Sequence, residues 1–183
     1  MNSGNVTAAK PKKVGGAIFI APVGSTLPTD ATSALDNAFK ELGYASEDGL
    51  TNSNAPESDE IKAWGGDTVL TLMTGRPDTY SLTLIEATNV EVLKLVYGDD
   101  NVTGTLENGI TITANTKDLD YHAFVVDMIL KDGAAKRVVM PRAKVTDLGE
   151  IAYTDSDAVG YETTLNCEAD EDGNTHYEYI KAS

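Results

Sequence analysis

The sequence is poor in the side chains that most often carry enzyme chemistry. Its 183 residues include one cysteine, Cys167, and two histidines, His122 and His176. A lone cysteine cannot form an intramolecular disulfide or a cysteine-based zinc site, and it favours a reducing compartment. No Gly-x-Ser-x-Gly elbow or comparable nucleophile motif accompanies the histidines. We therefore expect no catalytic triad, and we interpret both histidines as ordinary strand residues.

Long hydrophobic runs and basic residues are also scarce. No window approaches the roughly 18 apolar residues of a membrane span, and residues 1–13 lack the apolar core of a signal peptide, so we expect neither membrane binding nor export. The net charge is −15, from 14 Lys+Arg against 29 Asp+Glu. Lys10, Lys12 and Lys13 are three of the 14 bases, which leaves 11 bases against 29 acids and a net charge of −18 over residues 14–183. Such an acidic body disfavours nucleic-acid binding through phosphate neutralisation.

Metal and phosphate sites have little support in the sequence. Asp170, Asp172 and Asn174 place oxygen atoms at alternate positions, as the start of a calcium loop does. An EF-hand loop beginning at Asp170 needs glycine at its sixth position, where Thr175 stands, so a polar turn is the better interpretation. The two Gly-Gly pairs are not followed by the Gly-Lys-Ser/Thr of a phosphate-binding loop. We expect no cofactor, no metal ion and no catalytic residue.

Short β-rich segments separated by turn residues dominate the chain. The segments cover about 17–21, 42–46, 61–64, 67–73, 80–84, 110–113, 121–130, 136–140, 142–150, 159–167 and 175–180. Turns at 131–133 and 172–174 predict hairpins between the neighbouring strands. The pattern predicts a mainly-β fold, either a β-sandwich or a rolled barrel.

Two short helices interrupt the strands. Residues 88–91, Thr-Asn-Val-Glu, have the form of a capping box, and Gly98 follows the apolar positions behind them, which predicts a helix at about 89–97. Ala31, Leu35 and Ala38 recur at spacings of three and four. This narrow apolar stripe indicates a second helix at about 30–39.

Two polar stretches divide the chain into an arm and one domain. Residues 1–15 are small, polar and basic, which predicts a flexible basic N-terminal arm before a single β domain at 16–183. Residues 41–60 contain six acids and no base. We predict a long acidic loop at about 47–60, and loops of more than about 12 residues usually carry function or disorder.

Four stretches of the sequence resemble one protein family. They are GAIFIAPVGSTLPTDATSALDNAFKELGYASEDGLT (16–51), EIKAWGGDTV (60–69), EVLKLVYGDDNVTG (91–104) and GNTHYEYI (173–180). These stretches, and the order of elements between them, resemble the major tail proteins, or tail tube proteins, of long-tailed siphovirus-type bacteriophages, especially those that infect actinobacteria. The resemblance covers most of residues 16–180.

The resemblance implies a structural virion protein rather than an enzyme. Subunits of this family form hexameric rings that stack into the tail tube, with strands of the six subunits joined in one β-barrel around the lumen. An acidic wall would repel DNA phosphates during ejection, so that DNA passes without specific binding. The implied partners are further copies of the chain, the tape measure protein, the tail terminator and tail-tip proteins. The implied location is the virion tail, after assembly in the cytoplasm of the host bacterium.

The resemblance also implies where subunits touch. The acidic loop would be the counterpart of the extended loop by which the family reaches the neighbouring ring, and the basic arm would serve a similar purpose against an acidic neighbour. The implied assembly contacts are Lys10, Lys12, Lys13, Glu47, Asp48, Leu50, Glu57, Asp59 and Glu60.

Two other classes of protein remain open from the residues alone. A monomeric β-sandwich module that binds carbohydrate or a cell-surface ligand has the same strand pattern, although the single tryptophan, Trp64, does not make an aromatic platform that the sequence reveals. An enzyme with a carboxylate pair is the third class, because 29 acids create many accidental pairs.

Overall fold

Strands dominate the computed structural model, which describes residues 5–182. The strands are β1 (Ala9–Pro11), β2 (Ile18–Pro22), β3 (Lys40–Glu41), β4 (Ala45–Ser53), β5 (Glu57–Lys62), β6 (Thr68–Gly75), β7 (Thr79–Leu84), β8 (Val102–Thr105), β9 (Gly109–Ile112), β10 (His122–Leu130), β11 (Ala135–Leu148), β12 (Tyr161–Cys167) and β13 (Tyr177–Lys181). One helix, α1 (Val90–Tyr97), is followed by a 3₁₀ turn at Asp99–Asn101. The mainly-β fold that the sequence predicts is confirmed.

One antiparallel sheet of nine strands forms the body. Its order is β3-β2-β10-β11-β12-β7-β4, with β1 on β10 and β13 on β11. The 14-residue strand β11 pairs with β10 and β13 along its first part and with β12 from Ala143 onward. A register break between Val145 and Asp147 bends it there. The sheet therefore rolls over itself, and side chains of β2 and β10 meet those of β7 and β12 in one core.

Helix α1 closes this core. Its apolar residues Val92, Leu93, Leu95 and Val96 are buried against the sheet. The Asn89 side chain accepts a hydrogen bond from the Glu91 N–H at 3.0 Å, and the chain leaves the helix at Gly98 with φ 99°. The helix predicted at about 89–97 is confirmed, with Asn89 as its cap instead of the threonine of a capping box.

The opposite face of β2, β10 and β11 is also buried. Ala21, Ala123, Val125 and Val139 form a second apolar cluster with Phe39 there. The segment 23–39 supplies the cover, through Phe39 and the partly buried Leu27, Leu35 and Ala38. Two buried faces explain why the middle of β10 reads as a continuous apolar run instead of an alternating one.

A buried ion pair fastens this cover to the sheet. The side chain of Arg137 is 1% exposed, and its guanidinium donates to both carboxylate oxygens of Asp127, at 2.6 and 2.9 Å. Its remaining nitrogen donates to the backbone carbonyls of Asp30 and Ser33, at 3.1 and 2.9 Å. Arg137 thus joins two strands of the sheet to the segment that covers them.

The helix predicted at about 30–39 is wrong for the same reason. A helix needs the carbonyls of Asp30 and Ser33 for its own ladder, and these two carbonyls accept from Arg137. The Asp30 carboxylate instead accepts the N–H groups of Thr32 and Ser33, which closes a turn and lowers the pKa of Asp30 to about 2. The apolar stripe does face the sheet, but in an irregular segment.

The predicted acidic loop at 47–60 is mostly strand. Strand β4 continues to Ser53 and β5 begins at Glu57, so only residues 54–56 lie outside strands. Both strands are polar and largely exposed on both faces, and a strand of that kind carries no alternating pattern for the sequence to reveal.

The two turn predictions have different outcomes. The turn at 131–133 connects β10 and β11, which pair as a hairpin, and this prediction is confirmed. The hairpin predicted at 172–174 is wrong, because β12 and β13 both pair with β11 and not with each other. Between the two strands, the Asp170 carboxylate accepts the N–H groups of Asp172 and Asn174 and closes a tight polar turn.

The basic arm contributes a strand to the body. Residues 1–4 lie outside the described part of the chain, whereas β1 pairs with Met128–Leu130 of β10. Lys12 Nζ lies 3.6 Å from an Asp127 carboxylate oxygen, and Lys13 Nζ lies 3.5 Å from a Glu41 carboxylate oxygen. The strand pairing and these two ion pairs hold the described part of the arm along the sheet.

We expect the buried ion pair to carry much of the stability of the cover. Arg137→Met leaves the Asp127 carboxylate buried with only Lys12 nearby, which should cost about 3 kcal/mol of unfolding free energy. Urea denaturation measures the cost. Lys136→Met is the matched control, because Lys136 pairs with the exposed Glu178, and it should cost less than about 1 kcal/mol. Equal costs in the two variants would contradict this role.

We expect Cys167 to behave as a core residue. It is buried in the main cluster, and burial, aided by the nearby Asp78 charge, raises the pKa of its thiol from 9.0 to about 12. Three pKa units lower the thiolate fraction about a thousandfold. Iodoacetamide at about pH 8 should therefore modify the native protein at least a hundredfold more slowly, in order of magnitude, than the urea-unfolded protein. Comparable rates would show that the thiol is accessible.

Candidate assembly interface

The β5–β6 hairpin stands apart from the sheet. Within residues 5–182 its two strands hydrogen-bond only to each other. Its tip turns through Gly65 and Gly66, whose φ angles of 124° and 101° suit glycine. Residues 57–74 are exposed throughout. A two-stranded hairpin alone is marginally stable in water, so this one calls for a further surface to pack against.

Exposed apolar side chains concentrate on this hairpin. They are Ile61, Trp64, Val69, Leu70, Leu72 and Met73. Ile61 is the cross-strand partner of Leu70, and Leu72 is two residues further along the same strand, so these three share one face. Each is 47–49% exposed. We call Ile61, Leu70 and Leu72 the apolar face, and Trp64 is fully exposed at the tip beside it. Contiguous exposed apolar groups of this kind mark interaction surfaces.

The second hairpin of the chain shows the contrast. Strands β8 and β9 also pair only with each other among the described residues. Val102 of β8 is buried, however, and Ile110 of β9 packs against the main core. The β8–β9 hairpin is therefore anchored by its own apolar residues, whereas the apolar face of β5–β6 is not.

A polar cluster holds the root of the β5–β6 hairpin. Asp78, which follows β6, is 1% exposed and accepts hydrogen bonds from Asn52 Nδ2 at 2.8 Å, from Thr175 Oγ1 at 2.6 Å and from His176 Nδ1. Burial alone would raise the pKa of Asp78, but these hydrogen bonds outweigh it and the pKa is lowered. The carboxylate is therefore ionised, and His176 donates from Nδ1.

Three of the predicted contact residues lie on the hairpin. Glu57, Asp59 and Glu60 belong to β5 and are exposed. Asp59 is the cross-strand partner of Leu72 and shares its face, whereas Glu60, the partner of Thr71, lies on the opposite face and accepts a hydrogen bond from Thr68 Oγ1 at 3.0 Å. The structure therefore places Asp59 on the apolar face and Glu60 on the other face of the hairpin.

The other acidic positions lie on β4. Its register against β7 breaks between Ala45 and Leu50, and Glu47 and Asp48 are exposed in that irregular stretch. Leu50 pairs with Leu82 and packs against the main core, so it is half-buried in its own subunit. Leu50 thus packs within its own subunit, whereas the two acids are exposed to solvent.

The predicted lysines lie away from the hairpin. Lys10 is exposed on β1, opposite Ile129, whereas Lys12 and Lys13 pair with Asp127 and Glu41 of their own chain. Two of the three lysines are therefore already occupied by acids within the subunit.

The sequence-based prediction missed the apolar residues of the hairpin. Residues 68–73 were predicted as a strand, and the clue lies in their order: Val69-Leu70 and Leu72-Met73 put apolar groups on both faces. Such a run is typical of a strand buried on both sides. In a two-stranded hairpin it can be buried only by another molecule.

Titratable side chains, His122 and Asp99 among them, line a cleft beside α1. The cleft beside α1 holds about 350 Å³, and His122 on its wall contacts the Asp99 carboxylate at 3.2 Å. Its lining contains no hydroxyl or thiol nucleophile. Over residues 5–182, no three His, Cys, Asp or Glu side chains come together as a metal site, and none of the helical structure is long and apolar enough to cross a bilayer.

Comparison with known proteins agrees with an assembly role. No curated protein matches the chain. The family model described as phage tail tube protein matches residues 3–183, which is nearly the whole chain. The chain therefore belongs to the phage tail tube protein family, the structural subunits that build the multi-subunit tube of the virion tail.

Proposed function

We propose that this chain forms hexameric rings that stack into the tail tube, the conduit through which DNA is ejected. The observation that carries the proposal is the β5–β6 hairpin, whose apolar face and tip tryptophan are covered by no other segment of residues 5–182. If the hairpin of each subunit packs on a subunit of the neighbouring ring, the same contact repeats from ring to ring. Such head-to-tail contacts do not close, and they generate a tube.

Contacts between rings would combine apolar burial with charge. Full burial of a side chain such as leucine is worth about 1.5–3 kcal/mol, so the apolar face can supply most of the energy of the contact. Asp59 would add a charge to this face, and Glu57 and Glu60 would lie close to it on the same strand. Glu47, Asp48 and Leu50 on β4, and Lys10, Lys12 and Lys13 on the arm, remain proposed assembly contacts.

Contacts within a ring would use the sheet edge. Strand β4 ends the nine-stranded sheet, so its side away from β7 presents unpaired backbone groups. Pairing of this edge with a strand of the next subunit would continue the sheet around the ring. A ring of six such sheets would form the barrel around the lumen.

The acidic surface supports a conduit that does not retain DNA. Among the described residues the buried acids are Asp78 and Asp127 and the buried base is Arg137, so nearly all of the net charge of −15 lies outside the core. Acids on the lumen wall would repel phosphates within about 8 Å at physiological salt. We propose assembly in the host cytoplasm with the tape measure, terminator and tail-tip proteins. Trp64 is fully exposed at a hairpin tip, which does not favour a carbohydrate-binding cleft.

We expect the apolar face to be required for polymerisation. The double variant Leu70→Ser, Leu72→Ser should fold, because both side chains are exposed, yet form no tubes when concentrated. The matched control is Leu106→Ser, Ile112→Ser, which removes two exposed apolar groups from the β8–β9 hairpin and should polymerise like the wild type. Electron microscopy and sedimentation measure the yield. Normal tubes from the first variant would overturn the proposed contact.

We expect polymerisation to increase with salt. Each subunit carries a charge of −15, so subunits repel one another. Raising the ionic strength from 0.01 to 0.15 M shortens the Debye length from about 30 to about 8 Å and weakens this repulsion. Pelleted tube should therefore increase over that range. A decrease would show instead that ion pairs between arm lysines and neighbouring acids dominate the contact.

A further inference from the structure

The chain enters the β5–β6 hairpin from the end of β4 and leaves it toward β7, and Asp78 joins these two legs next to the β4–β7 pairing of Ser53 with Thr79. Asn52 lies near the end of β4, before the hairpin, and Asp78 lies three residues after the end of β6. The Asn52 amide donates to Asp78 Oδ1 at 2.8 Å and to the Thr79 carbonyl at 3.1 Å. One step further out, the Arg76 guanidinium contacts the side chain and carbonyl oxygens of Asn54. The root is therefore a polar clasp between the two legs.

The same carboxylate ties the clasp to the body. Its second oxygen accepts from Thr175 and His176, which immediately precede β13, and the Asp78 carbonyl accepts the N–H of Cys167 at 2.9 Å. Asp78 thus connects the root of an exposed hairpin to the ends of β4, β12 and β13. Burial and, after it, the nearby charge of Asp78 raise the pKa of Tyr80 and the pKa of Cys167.

Because the hairpin is long, a small change of angle at its root moves its tip a long way. Strand β6 has eight residues, and at about 3.3 Å per residue it spans about 25 Å. A swing of about 10° at the root would then move the tip by about 4 Å, which is comparable with the roughly 4.0–4.5 Å within which apolar atoms are in contact. The hairpin has no sheet neighbour among the described residues to resist such a swing.

We propose that Asp78 is a positioning residue for assembly, which sets the direction of the β5–β6 hairpin by clasping its two legs through Asn52. This inference rests on the proposed function, because it assigns the clasp a role in the contact between subunits. The carboxylate acts only as an acceptor for three donors. In an Asp78→Asn variant, the amide NH₂ group would replace one acceptor oxygen. It would then face one of the three donor groups and could not accept its hydrogen bond.

The single tryptophan provides a direct readout. Trp64 lies at the hairpin tip, so its fluorescence anisotropy decay in the dilute, unassembled protein reports motion of the hairpin relative to the body. Asn52→Ala should add a nanosecond component to the decay, and Asp78→Asn should do the same. The matched control is Thr175→Val, which removes one hydrogen bond from the same carboxylate but none between the legs. It should decay like the wild type.

Assembly should follow the motion. We expect Asn52→Ala to lower tube yield about tenfold at a fixed concentration, equivalent to about 1.4 kcal/mol, with an unchanged urea midpoint for the body. Thr175→Val should assemble normally. Asn52 is exposed, so its replacement by alanine should not prevent folding.

A disulfide bond between the two legs should replace the hydrogen bond that the Asn52→Ala variant loses. Ser53 is the cross-strand partner of Thr79, and paired Cα atoms in antiparallel strands lie about 4.5–5.5 Å apart, within reach of a disulfide. In the Asn52→Ala background, Ser53→Cys with Thr79→Cys should restore slow anisotropy decay and tube formation when oxidised and lose both when reduced. A purely structural role for Asn52 elsewhere would not respond to this bond.

The possible results separate the two proposals. Normal tubes from Asn52→Ala, or loss of tubes without added hairpin motion, would overturn the positioning role. If the oxidised disulfide fails to rescue a mobile variant, the role is overturned as well. If the anisotropy responds as expected but the wild type forms no tube under any salt condition, the proposed function fails and the assembly role of the clasp fails with it.

Discussion

A two-stranded hairpin has no interior, and this constraint shapes the rest of the molecule. Ile61, Leu70 and Leu72 share a face that no described segment of the chain covers. Two features of the body bear on this exposed apolar face. It holds the hairpin at its root through a buried carboxylate, and it keeps the rest of its surface acidic, so that isolated subunits repel one another. In the proposed assembly, the nine-stranded sheet would be the rigid support from which the protruding hairpin reaches another subunit.

Much of the fold could be predicted from the sequence wherever local signals agree with the tertiary structure. Helix α1 has its cap, its apolar stripe and its terminal glycine within ten residues, and Tyr80–Leu84 alternates as a half-buried strand should. The helix at 30–39 failed because a residue more than 100 positions away, Arg137, binds the carbonyls that the helix would use. The strands within 47–60 were not recognised because a strand exposed on both faces has no hydrophobic period.

The candidate site could be predicted only in part, for a related reason. Composition drew attention to the acids, and Glu57, Asp59 and Glu60 do lie on the protruding element. The apolar residues next to them were read as an ordinary strand, because sequence alone does not reveal whether a strand is covered by its own chain. Lys12 and Lys13 show the converse: a basic arm suggests an acidic partner in another subunit, but these lysines find acids in their own.

Charge and apolar surface act over different ranges in this protein, and the difference bears on when a tube forms. Repulsion between subunits of charge −15 extends over a Debye length, whereas the apolar face acts only on contact. Subunits that meet at random therefore repel before their hairpins can pack. In the proposed stack of rings, a subunit that reaches a completed ring would make several contacts at once, so that their apolar burial would add up against the repulsion. Under the proposed assembly, growth on an existing ring would thereby be favoured over the start of a new one.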